Sequence, residues 1–493
     1  MMMGAVECFR SFNGGHDWQV VNNWSEYYNN INEKLHADMM YFREFEKSDG
    51  TTFLLNSNHG GLNITKDQYN TIANLGLIGL NVSQYYDVVS LPSDPSVIFA
   101  GTQDQGFQRS RPNGNDEIAQ FDQVISGDYG HIVFSENDSH LWTVYPGGWV
   151  TYYDNPMGNL TSSWEVMSTN ETVWIPPMMP SPYPSENAIY LAGGNANGGA
   201  GSYMIKLTYN ETQHKIDATQ VDYDFKSHSV DGTISMMRTS PINSNNWYVS
   251  TTNGRFFYST DAGENWDQTT QFIPGGHYLY GACIYPSKLD ENVVYMAGSG
   301  YDNPAIYKSE NGGETSTPMS QDLPPTLVYE LTANDDETMF FAATEAGPYV
   351  YIVAEAIWYH MSGFAAPTQT YWSVEYLSSM DRVRFGTYGR GVWDFQIEPE
   401  ATSVQNNIDN SRIEVFPNPT QSTINITLDE VSSNSLTLQI FDLTGKLISE
   451  KEENNLPKSN FNTTINVEQL NSGNYILKII DGNNVRSKKF TKF

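Results

Sequence analysis

The sequence predicts an all-β protein, a β-propeller of about seven to eight four-stranded blades followed by a small antiparallel β-sandwich. Three observations carry this. A short apolar run ending in a small residue returns along the chain, with intervals of 44, 44, 48, 58, 47, 45 and 43 residues between Ser57, Gly101, Tyr145, Gly193, Thr251, Gly298, Ala343 and Gly386. A period in the 40s made of short β-type runs fits one blade per repeat. A turn of fixed chemistry follows several of the runs. The 493 residues are also 13% aromatic and only 17% charged, with 39 glycines, a composition of β-rich, turn-rich extracellular proteins.

The runs, such as Val97-Ile98-Phe99-Ala100-Gly101 and Val293-Val294-Tyr295-Met296-Ala297-Gly298, are expected to be the innermost strands, their small residues letting the blades converge. The turn has the form Ser-x-Asp-x-Gly-x-x-Trp. Ser259, Asp261, Gly263 and Trp266 fit it in full. Ser11, Asn13, Gly15 and Trp18 fit with Asn for Asp, and Ser309, Asn311 and Gly313 have the same Asn with Ser316 in place of the Trp. An Asp or Asn here bonds the amides of its own turn, Gly supplies positive φ, and Trp packs the hairpin on the blade. These residues are therefore structural.

The turn resembles the Asp-box of bacterial-neuraminidase-repeat propellers, a superfamily that includes sialidases, xyloglucanase-type glycoside hydrolases and the sortilin ectodomain. His36-Ala37-Asp38, Asn58-His59-Gly60-Gly61, Gly101-Thr102-Gln103-Asp104-Gln105-Gly106 and Gly386-Thr387-Tyr388-Gly389-Arg390-Gly391-Val392-Trp393 resemble signatures of its secreted xyloglucanase-like and sortilin-like members. His59 stands where those members usually have Asp.

The Ser11 turn comes too early for a complete blade. The spacing predicts that the chain begins inside a blade, as the C-terminal portion of a longer precursor with its signal peptide upstream. The alternative is a degenerate, strand-exchanged first blade. Residues 1–9 lack the basic n-region and apolar core of a signal peptide. No run approaches the ~18–20 apolar residues of a membrane span.

After residue 397 the composition turns polar and Asn-rich, which predicts a propeller over 1–397, a linker over 398–411 and a β-rich domain over 412–493. That last segment resembles the type A C-terminal sorting domain of the Bacteroidetes type IX secretion system, through Pro417-Asn418-Pro419, Gly445-Lys446, Gly473-Asn474-Tyr475 and the terminal Lys489-Phe490-Thr491-Lys492-Phe493. The resemblance implies that the secretion machinery is a partner and that the protein is released or attached to the cell surface.

Net charge is −31, from 26 Lys and Arg against 57 Asp and Glu, which excludes nucleic acid as a partner. Cys8 and Cys283 form no framework or zinc motif and are expected to be buried thiols. Propeller ligands bind where inner strands and loops converge. The candidate carboxylates there are Asp38, Asp104, Asp128 and Glu345, and the candidate ligand contacts are Gln103, Asp104, Tyr388 and Arg390. A glycosidase needs two carboxyl groups about 5–5.5 or 6.5–9.5 Å apart. Asp next to Gly at a strand end is, however, commonly a turn former. His36 and Asp38 are expected to pair with each other and to hold no metal. Calcium in an acidic loop such as Asn334-Asp335-Asp336-Glu337 has no defined spacing behind it, and no cofactor is expected. No Arg-Ile-Pro signature supports a sialidase. Tyr85, Tyr86, Tyr145, Trp149, Tyr152, Tyr153, Tyr278, Tyr280 and Trp372 are expected near the surface, where flat rings stack on sugars or partners. The sequence thus points to a secreted propeller that binds glycan or protein without catalysis, with a xyloglucanase-related glycoside hydrolase as the alternative.

Overall fold

The structure, a computed structural model, describes residues 1–76, 80, 82–111, 119–165, 173–269, 282–361, 366–397, 413–442, 446–457, 459–482 and 484–493. The 398–411 segment, Gly445, Tyr278 and Tyr280 lie outside them. The chain forms two compact units, Met1–Ser362 with Thr368–Ile397, and Glu398–Phe493 with Gly363–Pro367.

Within the first unit, seven antiparallel sheets follow one another over 85–125, 132–165, 178–220, 234–268, 283–318, 328–360 and 371–396. The first strand of each lies beside the first strand of the next, and Tyr371–Leu377 of the last lies beside Tyr85–Leu91 of the first, so the seven close into a ring. The protein is a β-propeller. The recurrent apolar runs are the second strands of their sheets, and the expectation that they would be innermost is corrected. A second strand is covered on both faces by neighbouring blades, so it reads as unbroken apolar sequence. Trp142, Val144, Val249, Met296, Phe341 and Phe385 of these strands are fully buried. A first strand instead turns one edge to the channel and admits polar residues such as Asp87, Arg238 and Glu330.

The run at Ser57 is not in the ring. It belongs to a sheet of Tyr41–Glu46, Thr52–Asn58, Gly61–Thr65 and Ala73–Asn74, preceded by a three-stranded sheet of Met2–Gly4, Cys8–Arg10 and Gln19–Val20. The two share a small core around Cys8, Leu35 and Tyr69. The expected seven to eight blades are thus a seven-sheet ring over 85–396, and two further sheets within residues 2–74 lie outside that ring.

The turns fold as their chemistry demands. Gly263 N donates to Ser259 Oγ at 3.0 Å, Ser259 Oγ to Asp261 Oδ1 at 2.8 Å, and Asn265 N to Asp261 Oδ1 at 2.9 Å. Gly15 N–Ser11 Oγ and Asp17 N–Asn13 Oδ1 repeat this, as do Gly313 N–Ser309 Oγ and Thr315 N–Asn311 Oδ1. A fourth copy escaped sequence reading. Tyr69 N donates to Thr65 Oγ1 and Thr71 N to Asp67 Oδ1, with Thr for Ser and a left-handed Tyr69, φ 66°, for Gly. At Gly313, φ is 102° and an added Cβ would stand 2.8 Å from Phe256 of the preceding blade. Gly313→Ala is expected to destabilise the ring by about 1–3 kcal/mol, read as a lowered urea midpoint. An unchanged midpoint would contradict this account of the turn.

Buried carboxylates tie neighbouring inner strands. Asp87 Oδ2 accepts from Ile132 N at 2.8 Å, Glu330 Oε2 from Val374 N at 2.9 Å, and Glu375 Oε2 from Ser90 N at 3.0 Å. Burial is the main reason that all three carboxyls are pushed above the ordinary carboxylate range. The folded chain then binds protons more tightly than the unfolded chain. Their contribution to stability is fullest below the ordinary carboxylate range and is lost as pH rises through the raised values. Stability is expected to fall between pH 5 and 9, and to fall less in Glu330→Gln. Denaturant titrations with parallel pH dependence in both proteins would refute this.

Cys8 and Cys283 are buried free thiols, each pushed up to about 12 by burial. Tyr85, Tyr86, Tyr152 and Tyr153 are buried too, which corrects the expectation of surface rings. Paired aromatics on consecutive strand positions fill both faces between blades. Tyr145 and Trp149 are exposed as expected.

The second unit is a sandwich. A three-stranded sheet holding Ile413–Phe416, Thr423–Glu430 and Ser459–Asn466 packs on a four-stranded sheet of Ser435–Asp442, Leu447–Asn454, Gly473–Asp481 and Asn484–Lys492. Ile424, Ile426, Leu438, Leu477 and Phe490 fill the space between them. Asn418, between Pro417 and Pro419, covers an edge of this sheet. It accepts from Thr491 N at 2.9 Å and donates to Lys489 O at 3.2 Å. Tyr475 donates to Asn471 O at 2.9 Å, next to the strand start at Gly473, and Lys446 N donates to Asp442 Oδ1 at 3.1 Å. These motif residues build the sandwich's turns and edge.

Candidate functional site

Two hairpins and two connections converge where the N-terminal sheets meet the ring. His59 sits in the hairpin between Thr52–Asn58 and Gly61–Thr65, and Asp104 in the matching hairpin of the first ring sheet, between Asp94–Thr102 and Gly106–Arg111. Asp38 precedes the first strand of its sheet, and Asp128 lies between the first two ring sheets. His59 Nδ1 stands 3.3 Å from Asp38 Oδ2 and 3.0 Å from Asp104 Oδ2. Asp128 Oδ1 accepts from Asp104 N at 2.9 Å. The two carboxylates share one ring nitrogen, and their separation is no greater than those two contacts laid end to end.

The local backbone explains the convergence. Asp38 and Asp104 both adopt left-handed conformations, φ 63° and 62°, which Asp tolerates better than most residues. An added Cβ at Gly60 would lie 2.5 Å from His36 Cβ, so only glycine lets this hairpin pack on the segment that carries His36 and Asp38 where the sheet meets the ring. There Gln105 Nε2 donates to Gly60 O at 2.8 Å, and Tyr27 OH to Gln123 Oε1 at 2.8 Å.

Electrostatics set Asp104 apart. Its carboxyl is pushed up to about 6, first by burial, then by Asp128 and Asp38, while His59 acts in the opposite direction. The Tyr28 hydroxyl is raised by burial first, then by Tyr145 and by Asp104, Asp128 and Asp38, and the Tyr145 hydroxyl by burial first, then by Asp128 and Asp104. The two half-exposed phenols therefore flank the acidic cluster. His36 does not pair with Asp38, which corrects that expectation. It is buried edge-on to Tyr27, and burial is the main cause that lowers its proton affinity.

Of the sequence candidates, Asp38, Asp104 and Asp128 gather here and Glu345 does not. Glu345 accepts from Tyr301 at a hairpin of the sixth ring sheet. Gln103 accepts from Tyr388 across the ring seam, and Tyr388 stacks on Trp372, whose other face meets Tyr329 at 4.6 Å between centroids. Arg390 is exposed, and its amide caps the hairpin by donating to Thr387 Oγ1 at 2.9 Å. The bridging role of His59 and the flanking Tyr28 went unread. One signal was present, since His59 and Asp104 each stand two residues before a left-handed glycine, Gly61 and Gly106.

Among the described residues no group of three His, Cys, Asp or Glu side chains could hold a metal ion. The carboxylates of the 334–337 loop are engaged by protein donors, Asp336 by Thr338 and Glu337 by Lys288 N at 2.7 Å. No described helix is long and apolar enough to cross a membrane.

The class these features define is a β-propeller with an acidic, aromatic-flanked side-chain cluster beside the ring, carried on a chain with a β-sandwich tail. Residues 414–492 match the family described as a secretion system C-terminal sorting domain, and that tail implies secretion or cell-surface attachment through the type IX machinery. Two solved structures share the propeller fold. They are a GH74 xyloglucanase from Xanthomonas campestris (14% identity, TM-score 0.52, 80% of this chain and 55% of that one) and a GH74 enzyme from Niastella koreensis (14%, 0.50, 80% and 56%). The chain spans about half the length of these enzymes. No curated protein matches it.

Proposed function

We propose that this chain is a secreted or surface-attached glycan-binding protein whose ligand lies in the cleft of Asp38, His59, Asp104 and Asp128, and that it binds without cleaving. In this reading residues 1–397 are the functional part, and 412–493, joined through 398–411, are the export address. The turns at Ser11, Ser259 and Ser309 are read as Asp-boxes on their common hydrogen-bond pattern, with a structural role only.

The position of His59 carries the non-catalytic reading. A glycosidase leaves a gap between its two carboxyl groups for the scissile oxygen or the attacking water. Here an imidazole fills that gap and is held by both acids. Partly exposed carboxylates beside flat phenols suit sugar hydroxyls and C–H faces.

One observation favours the alternative, a glycoside hydrolase related to xyloglucanases. With its carboxyl near 6, Asp104 could keep a proton for a leaving group. Retardation in gels cast with neutral polysaccharides, alongside reducing-sugar release, separates the two. Binding with no sugar release supports the proposal. Release that disappears in Asp104→Ala establishes the hydrolase and overturns it.

A further inference from the structure

A cavity of about 380 Å³ lies among the first strands of the ring, within the ~300–1,000 Å³ of small-ligand sites. Asp87, His131, Arg238 and Glu330 line it. Each carboxylate gives one oxygen to a backbone amide, Asp87 to Ile132 N and Glu330 to Val374 N. The Arg238 guanidinium donates from Nη1 to Met178 O and Met237 O at 3.2 Å each, so it is shared with carbonyl groups. Burial first and then the charge of Asp87 raise the proton affinity of Glu330, and Arg238 opposes this without reversing it.

Buried charges are ordinarily paired, and this channel is one cation short. Among the described residues Arg238 is the only Lys or Arg that lines it, and burial lowers His131 to about 4, which keeps it neutral. Lys288, beyond Glu330, donates to Ala333 O at 3.3 Å and faces Asp335 at 3.9 Å. Outside the described residues, positions 1–397 include no Lys or Arg. His131 Nδ1 is 3.9 Å from Asp87 Oδ2, too far for a hydrogen bond, so the neutral ring keeps an acceptor nitrogen. Further along, Val89, Val133, Phe134 and Pro180 line the cavity, and Asp138, exposed in the hairpin after Ile132–Ser135, lines its mouth. From Ile132, which bonds Asp87, to Ser135 the strand advances about 10 Å. Carboxylates thus stand at both ends of an apolar stretch.

We propose that this channel binds an unbranched aliphatic di- or polyamine, with one ammonium held by Asp87, Glu330 and His131, another by Asp138, and the methylenes along Val89, Val133 and Phe134. The assignment is independent of the glycan-binding reading. An anion would face three carboxylates, an inorganic cation would gain nothing from the apolar stretch, and a quaternary ammonium has no N–H for His131.

The test is calorimetric titration of the full chain with cadaverine, spermidine and the monoamine butylamine, at about 0.15 M salt so that surface charge is screened. Cadaverine and spermidine are expected to bind one-to-one and several times more tightly than butylamine. Glu330→Gln keeps an acceptor for Val374 N and should lower the affinity for all three amines about tenfold. Asp138→Asn, on an exposed hairpin, should lower the affinity for both longer amines about threefold and leave butylamine unchanged. If Glu330→Gln fails to fold, Asp138→Asn decides alone. Binding that is equal in the wild type and the variants belongs to the acidic surface and overturns the proposal, as does no binding at millimolar concentration. Butylamine binding as tightly as cadaverine also overturns it, since only the longer amines reach both ends.

Discussion

Replacing Arg384 by methionine is expected to cost about 3–5 kcal/mol of stability, the range for removing one partner from a buried ionic network. Arg384 closes the ring. Its side chain is 4% exposed, and it donates from Nε and Nη2 to Asp394 at 2.7 Å each. Its Nη1 reaches back to the first blade, donating to Ser90 Oγ at 2.6 Å and Pro95 O at 2.9 Å. Glu375 accepts from the same Ser90, so Arg384 compensates two carboxylates at the seam. Without it the seam keeps two carboxylates, with only the half-exposed Arg382, 3.9 Å from Asp394, as a nearby cation. Adding Glu375→Gln and Asp394→Leu to Arg384→Met should recover much of the loss, because the penalty comes from the stranded charges. Urea unfolding with an unchanged midpoint for Arg384→Met would show that the seam is held by packing alone.

Asp104→Asn and His59→Ala are expected to lower glycan affinity about 10- to 100-fold, as the loss of a charge-assisted hydrogen bond does. Their effect on stability should be small, within about 1 kcal/mol, because the contacts at His59 are partly solvated and screened. In titration calorimetry the loss should appear with the melting temperature nearly unchanged. The proton affinity of Asp104 adds a pH signature. The folded chain holds that proton more tightly than the unfolded chain, so the stability linked to it is present at low pH and lost as pH rises through about 6. Asp104→Asn should abolish that component. Affinity that survives both substitutions would place the ligand elsewhere on the propeller.

Much of the fold was legible because its strongest signals are local. The second strands announce themselves as apolar runs because both faces are covered, and the turn at Ser259 carries its hydrogen-bond donors and acceptors within seven residues. The sandwich strands alternate cleanly because one face alone is buried. The ring count was not legible, since the sheet of Ser57 has the same local pattern as ring sheets, and only contacts between distant strands exclude it. The Thr65 turn hid because Tyr69 adopts the backbone conformation that sequence logic reserves for glycine. The seam at Arg384 pairs residues 294 apart in sequence. At the site, strand-end position found Asp38, Asp104 and Asp128. The role of His59 depends on two sheets meeting face to face, and no spacing along one strand encodes that.

The central claim, binding without cleavage in the cleft of His59 and Asp104, is tested most directly by the molar-mass distribution of a retained polysaccharide. It is measured by light-scattering chromatography after prolonged incubation with the full chain. The predicted result is a polymer of unchanged length that co-elutes with the protein, and that co-elution is lost with Asp104→Asn. A polymer that shortens with wild-type protein and keeps its length with Asp104→Asn would contradict the account and make the cleft an active site.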